Sequence, residues 1–336
     1  MTGSVERHAQ TEGRPTNAGI GFFTGYERML VTLAGDELPM RDTARTFWLT
    51  NRHVHGNQLL TYTADRGEKF FNQQVCELDD ALRAANEILR TVTHGGALTV
   101  NDAERLVELP TLVRRYKMAY GEFRRRDADG LRITPEFFTF VFRTFLPAIE
   151  IDGETWQGPN AAWLASVFSF DSLFGTATTW YRHYNLDKTK YLTANETATV
   201  AADLARPSVI DTLAATIRLP AGLASVPRSE LAARLERSGR HVVNAARAVR
   251  DTWLEVVRGT KGHETLVRDF LDKPSAKLDE AEVARMAVKP GEGTGGGTSD
   301  LLADIGDMRK SCVPARALLE ALWLIDNEPG TGAVAA

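Results

Sequence analysis

The sequence predicts a mainly α protein: a single large helical bundle in one domain, with one minor β-hairpin. Three observations predict it. Apolar residues recur at helical spacing along most of the chain, no strand–helix–strand alternation or internal repeat interrupts them, and only one segment couples strand-like alternation to a hairpin turn. At 336 residues the chain is long enough to bury a sizeable core.

The elements follow in order. Residues 1–19 mix Gly, Thr, Asn, Pro and charges without periodicity and read as a flexible arm. Residues 20–326 read as the helical domain, and 327–336 as a flexible tail. The clearest helix runs from about Arg66 to Thr93. Phe71, Val75, Leu78, Leu82, Ala85 and Leu89 form one apolar stripe, and His94-Gly95-Gly96 stops it. Asp102 to about Arg126 reads as a second helix with a kink at Pro110. Thr134-Pro135-Glu136 is a helix start, with Thr as N-cap and Pro at the first position, leading into the aromatic run FFTFVFRTF. Ala148–Trp156 alternates around Asp152-Gly153, a hairpin signal. A third helical stretch begins near Asn160. The longest helix is expected from Ser229 to about Arg258, on the stripe Leu231, Leu235, Val242, Ala246, Val249, Trp253 and Val256. Shorter helices are expected at His263–Leu271, Asp279–Ala287, Ser299–Ser311 and Ala315–Ile325.

Charge and composition exclude several classes. Forty basic against 44 acidic residues give a net charge of −4, which argues against a broad nucleic-acid surface. Two cysteines, Cys76 and Cys312, allow no disulfide framework and no four-cysteine zinc site. No apolar run approaches membrane-spanning length, and the polar N-terminus lacks a signal core. A cytoplasmic protein without nucleic-acid or membrane partners is the expectation.

Most short motifs dissolve on inspection. Gly291-Glu292-Gly293-Thr294-Gly295-Gly296 matches G-x-G-x-x-G, but a helix ending at Pro290 precedes it, so no dinucleotide fold is expected, and no lysine follows in Walker A position, so no P-loop is expected either. Such a loop does let backbone amides approach a ligand closely. His263-Glu264 opens like H-E-x-x-H, but residue 267 is Val. Asp127-Ala128-Asp129-Gly130 has its Gly misplaced for a calcium loop and reads as a turn. Arg124-Arg125-Arg126 reads as a solvated helix end. His53-Val54-His55 could put two imidazoles on one strand face, without companion ligands at metal-site spacing.

Two longer segments carry a resemblance. GHETLVRDFLDK, a spacer, and KPGEGTGGGTSDLLADIGDMRKS (within Gly262–Cys312) resemble the C-terminal part of the indoleamine and tryptophan 2,3-dioxygenases. In that superfamily a proximal haem His begins an amphipathic helix, and a GTGG loop and a helix ending in a basic residue follow. Here the matching positions are His263, then Gly293–Gly296, then Arg309-Lys310-Ser311. FRTFLPAIEIDGETWQGPNAAWLASVFSFDSLFG (Phe142–Gly175) resembles the middle of the monodechloroaminopyrrolnitrin synthase family, with Trp156 where that family has Tyr. A weaker likeness covers Thr61-Tyr62-Thr63 and the helix after it. Together these matches cover about half the chain and imply the haem-dependent aromatic oxygenases.

The resemblance implies a helical bundle with a haem pocket and non-covalent haem b, since Val267 stands where the peroxygenase branch has its haem-attaching Cys. It implies that His263, with Lys261 beside it, holds the cofactor, and that O₂ or H₂O₂ is the oxidant. The substrate expected is a small aromatic amino acid, tyrosine ahead of tryptophan, because the distal signature of tryptophan dioxygenases is missing. Arg143 would pair bidentately with its carboxylate. Trp156, Asn160, Trp163, Thr294 and Gly295 would line the substrate site, with His55, then His53, on the distal side as proton shuttle. A homodimer is the expected assembly. The alternatives are rearrangement or oxidation of a tryptophan derivative, and a haem-binding sensor without turnover.

Overall fold

The computed structural model describes residues 61–93, 96–151, 154–158, 164–286 and 299–327. His53, His55, Asn160, Trp163, Thr294 and Gly295 lie outside the described residues, as do the arm 1–19 and all of the tail beyond Asn327.

The described chain is mostly helical. Helix α1 (Arg66–Val92) begins where the Asp65 carboxylate accepts from Gly67 N, and ends at Thr93. Its stripe is buried as the spacing predicts: Val75, Leu78, Leu82, Ala85 and Leu89 are each at most 5% exposed. The second predicted helix divides into α2 (Val100–Leu106) and α3 (Leu109–Glu122). Pro110 does not kink a continuous helix but occupies the first turn of a new one, where its missing N–H removes no bond. The Asp127–Gly130 segment is a hairpin turn between β1 (Arg126–Asp127) and β2 (Gly130–Leu131), with Gly130 at φ +101°. Helix α4 (Pro135–Phe140) has Thr134 as its cap and passes into a 3₁₀ turn, Phe142–Phe145. The hairpin follows as β3 (Ile149–Ile151) and β4 (Glu154–Trp156), paired from Ile151↔Glu154 to Ile149↔Trp156.

Helix α5 (Ala165–Phe174) starts later than the Asn160 expected. It is followed by α6 (Thr179–Lys188), α7 (Ala194–Ala205) and α8 (Val209–Thr216). The expected long helix is broken. α9 (Arg228–Arg237) stops at Ser238-Gly239, where Gly239 takes φ +101°, and α10 (Arg240–Val267) starts afresh. α10 then runs through Gly259 and Gly262, so His263 lies in its last turns and does not begin a helix. Those glycines lower intrinsic helix propensity by about 1 kcal/mol each relative to Ala. Packing along α3 overrides that: a Cβ built on Gly259 would meet Lys117 and Tyr116 side chains at 3.6–3.8 Å. A π turn, Arg268–Asp272, and a short turn at Lys273–Ser275 prolong α10. The chain closes with α11 (Glu280–Arg285), α12 (Ser299–Lys310) and α13 (Val313–Asn327).

The main core joins α1, α2, α3, α5, α8, α9, α10 and α13. α3 packs against both α1 and α10, and α12 lies on α10. Among the described residues no helix is long and apolar enough to cross a membrane.

Candidate functional site

The site centres on His263. Its imidazole, half-buried near the end of α10, stacks on Tyr120 of α3, with ring centroids 4.8 Å apart and planes 18° off parallel. Tyr120 shares a hydrogen bond of 2.9 Å between hydroxyls with Tyr116, one turn earlier. Tyr116 is 8% exposed and meets Tyr120 edge-on. Among the described residues His263 has no hydrogen-bond partner.

Behind this stack lies a buried charge network. Arg309 of α12 donates from Nε to Asp171 Oδ1 at 3.0 Å and from Nη2 to Asp171 Oδ2 at 2.6 Å. Its Nη1 donates to Thr260 Oγ1 at 2.9 Å, on α10 one turn before His263. Thr176 Oγ1 donates to Asp171 Oδ1 at 2.6 Å, and Trp253 Nε1 donates to the Arg309 carbonyl at 2.8 Å. Burial opposes the charge on Arg309, but Asp171 outweighs it and holds the guanidinium ionised.

These surroundings set the protonation of the site. Burial first, then repulsion from Arg309, push the His263 pKa down to about 4, so its imidazole is neutral at pH 7. Burial and Tyr116 raise Tyr120 well above the ordinary tyrosine range. Burial and Asp171 raise Tyr181 too. The cluster is an uncharged aromatic wall backed by a neutralised ion pair.

The expected site residues are placed as follows. Arg143 lies in the 3₁₀ turn after α4 and is only 2% exposed. The rings of the FFTFVFRTF run pack among themselves and onto α1: Phe142 meets Phe71 at 5.2 Å, and Phe138 meets Phe71 at 5.4 Å and Phe270 at 6.1 Å. Much of that ring surface is core. Lys261 is exposed and stands about 200° around α10 from His263, so the helix does not bring the two together. Trp156 ends β4, paired with Ile149. Gly158 is buried so tightly that a Cβ there would stand 1.9 Å from the Leu146 carbonyl oxygen.

Sequence reasoning missed Tyr116, Tyr120, Thr260 and Asp171, and gave Arg309 no partner. Tyr116 and Tyr120 carried a usable signal, two tyrosines at i, i+4 on one helix face.

A haem iron binds an unprotonated ring nitrogen, which a neutral imidazole supplies; such a ligand usually donates its other N–H, and His263 has no acceptor for it among the described residues. His263 fits the role by its protonation state; the described residues outline no haem pocket around it. Nor do they bring three or more His, Cys, Asp or Glu together to hold a metal ion. A shallow groove of about 550 Å³, between Leu186 and Ala201 on α6 and α7, shares no residue with the His263 cluster. No protein-family model matches this chain, and no curated protein is significantly similar to it.

Proposed function

We propose that this chain is a haem-dependent oxygenase or peroxygenase acting on the ring of an aromatic amino acid, tyrosine ahead of tryptophan, with His263 as the residue that would hold non-covalent haem b. The observation that carries the proposal is His263 itself: neutral, and held in place by a stacked tyrosine. The resemblance of Gly262–Cys312 to haem dioxygenases adds the cofactor to that geometry.

Bound haem would supply the activation of O₂ or peroxide. The chain's own residues do the rest. His263 would hold the iron, and Tyr120, stacked on it, fixes the plane of its ring. Burial first, and then the Arg309 guanidinium, keep His263 from taking up a proton. The buried guanidinium of Arg143 binds the substrate carboxylate, and the phenylalanines around Phe142 exclude water from it. Val267, one turn beyond His263, offers no thiol for covalent attachment.

The test is spectroscopic. Purified protein supplied with haem should show a Soret band that shifts on adding tyrosine or tryptophan. His263→Ala should lose haem or bind it only with added imidazole, and acidified organic solvent should extract haem from the wild type. Product mass after adding peroxide, or O₂ with reductant, then identifies the oxidised ring. No haem binding refutes the proposal. Haem binding with no response to either amino acid leaves a haem-binding bundle without this substrate. Two oxygen atoms gained by tryptophan, with tyrosine inert, would place the chain with ring-cleaving dioxygenases.

A further inference from the structure

Residues 189–205, a 3₁₀ turn (Thr189–Tyr191) followed by α7, differ from the rest of the bundle in how they are held. Their apolar side chains do not enter the main core. Tyr191, Leu192, Val200 and Leu204 close instead on Phe168 of α5, forming a small core of their own. The segment is also tied to itself. Thr197 Oγ1 donates to the Thr189 carbonyl at 3.2 Å, and Thr193 caps α7 in a reciprocal box with Glu196.

Its link to α1 is ionic. α7 packs along α5, and among the described residues it reaches α1 through long charged side chains. Arg83 Nη2 donates to Glu196 Oε1 at 3.4 Å. Arg90 donates to Asp203 from Nη2 to Oδ2 at 2.8 Å and from Nε to Oδ1 at 3.0 Å. The paired residues are seven apart on both helices, so α1 and α7 run parallel and the contact repeats every two turns. Water reaches this seam, since the Arg83 and Arg90 side chains are 47% and 23% exposed. Ion pairs at such exposure hold less firmly than buried apolar packing and weaken with salt. Near the far end of α7, Arg182 of α6 donates to the Leu204 carbonyl at 3.0 Å, two residues before the chain leaves the segment for Pro207 and α8.

The segment covers two places. Beneath it lies Phe168, three residues before Asp171 on α5. At its edge the Tyr191 hydroxyl accepts from Gln157 N at 3.2 Å, immediately beyond β4. A satellite core behind a water-reached ionic seam is the pattern of a unit that opens without unfolding the rest. We propose that residues 189–205 are a lid, held shut by the Arg83–Glu196 and Arg90–Asp203 pairs. Its opening uncovers Phe168 and frees the exit of the β3–β4 hairpin while the main core stays closed. This inference does not rest on the haem reading.

The test is hydrogen–deuterium exchange of the full chain, read by mass spectrometry in native buffer and in urea below the unfolding transition. Peptides from 189–205 should exchange together and sooner than those of α1 and α10, with the Gln157 amide following them. Arg90→Met should speed exchange of the segment about 10- to 100-fold, the range of a hydrogen bond to a charged group, and leave α10 unchanged. Added salt should speed the segment in the wild type more than in that variant. Tyr191→Phe keeps the ring in the satellite core and should release the Gln157 amide alone. Arg83→Met, at the more exposed pair, serves if Arg90→Met does not fold. Exchange of 189–205 in step with α1 and α10, or equal acceleration of every helix by Arg90→Met, overturns the lid. A Gln157 amide that stays protected while the segment exchanges overturns its hold on the hairpin.

Discussion

Arg309 and Asp171, 138 residues apart in sequence, meet in a bidentate ion pair with side chains 8% and 0% exposed. The pair joins α12 to α5, and through Thr260 it reaches α10 beside the candidate haem ligand. Breaking such a pair from one side strands a buried charge, which typically costs about 3–5 kcal/mol. Arg309→Met and Asp171→Asn should each lose stability of that order in urea unfolding. The double variant should lose clearly less than the sum. Additive losses would show that the two side chains do not depend on each other.

Tyr120 offers His263 a ring and offers Tyr116 a hydroxyl. Tyr120→Phe should keep the stack and cost about 1 kcal/mol for the lost hydrogen bond. Tyr120→Ala should cost about 3 kcal/mol, as for truncating a packed aromatic, and free the imidazole. In NMR spectra, the ring-current shift of the His263 protons should persist in the first variant and vanish in the second. A shift lost in both would assign the geometry to the hydroxyl.

Glu255, on α10, binds Lys117 and Arg114 of α3, with its side chain 4% exposed. Burial works to raise its pKa, but Lys117 and then Arg114 outweigh burial and hold it below 4.5. A carboxylate with a depressed folded pKa stabilises the fold above its unfolded pKa, and that contribution disappears as pH falls through the folded value. Stability should therefore decline as pH drops below 4.5. Glu255→Gln should lose about 1 kcal/mol at pH 7, a modest figure because Arg114 and Lys117 reach water. Its acid limb should be flatter than that of the wild type. Parallel melting curves from pH 7 to pH 3 would exclude this pair as a contributor.

Gly158 lies against the backbone of Leu146 and Pro147, immediately after the β3–β4 hairpin. Unlike a flexible side-chain tip, a carbonyl held in the fold cannot move aside cheaply. Gly158→Ala should destabilise by about 1–3 kcal/mol or more, the usual range for overpacking. Gly121→Ala, with nothing within 4 Å of the added methyl group, is the control and should change stability far less. Similar midpoints for the two in thermal unfolding would contradict the close approach.

The helices legible in the sequence are those whose signals are local. The 4-3-4-3-4 stripe of α1, the Thr134-Pro135 start of α4 and the Asp152-Gly153 hairpin each depend on residues within a few positions of one another. Where reading went astray, a local signal had two meanings. Gly239 breaks a helix because it takes a left-handed conformation, whereas Gly259 and Gly262 do not, because α10 stays helical along α3. That difference moved His263 from the start of one helix to the end of another.

By itself the sequence determined the helical class, the hairpin and the main core stripes, because periodicity, caps and turn residues act over short range; His263 was singled out only by the resemblance of Gly262–Cys312 to the haem dioxygenases. Only the tertiary structure decided what surrounds that histidine. Tyr120 comes from 143 positions earlier in the chain, and Arg309 takes its charge partner from α5 rather than from a neighbour on its own helix. It also decided that Asn72 would be buried without a bond while Asn86 on the same helix found one. Which side chains share an interior is set by how helices pack, through shape and the need to satisfy buried polar groups, and no spacing along the chain encodes that outcome.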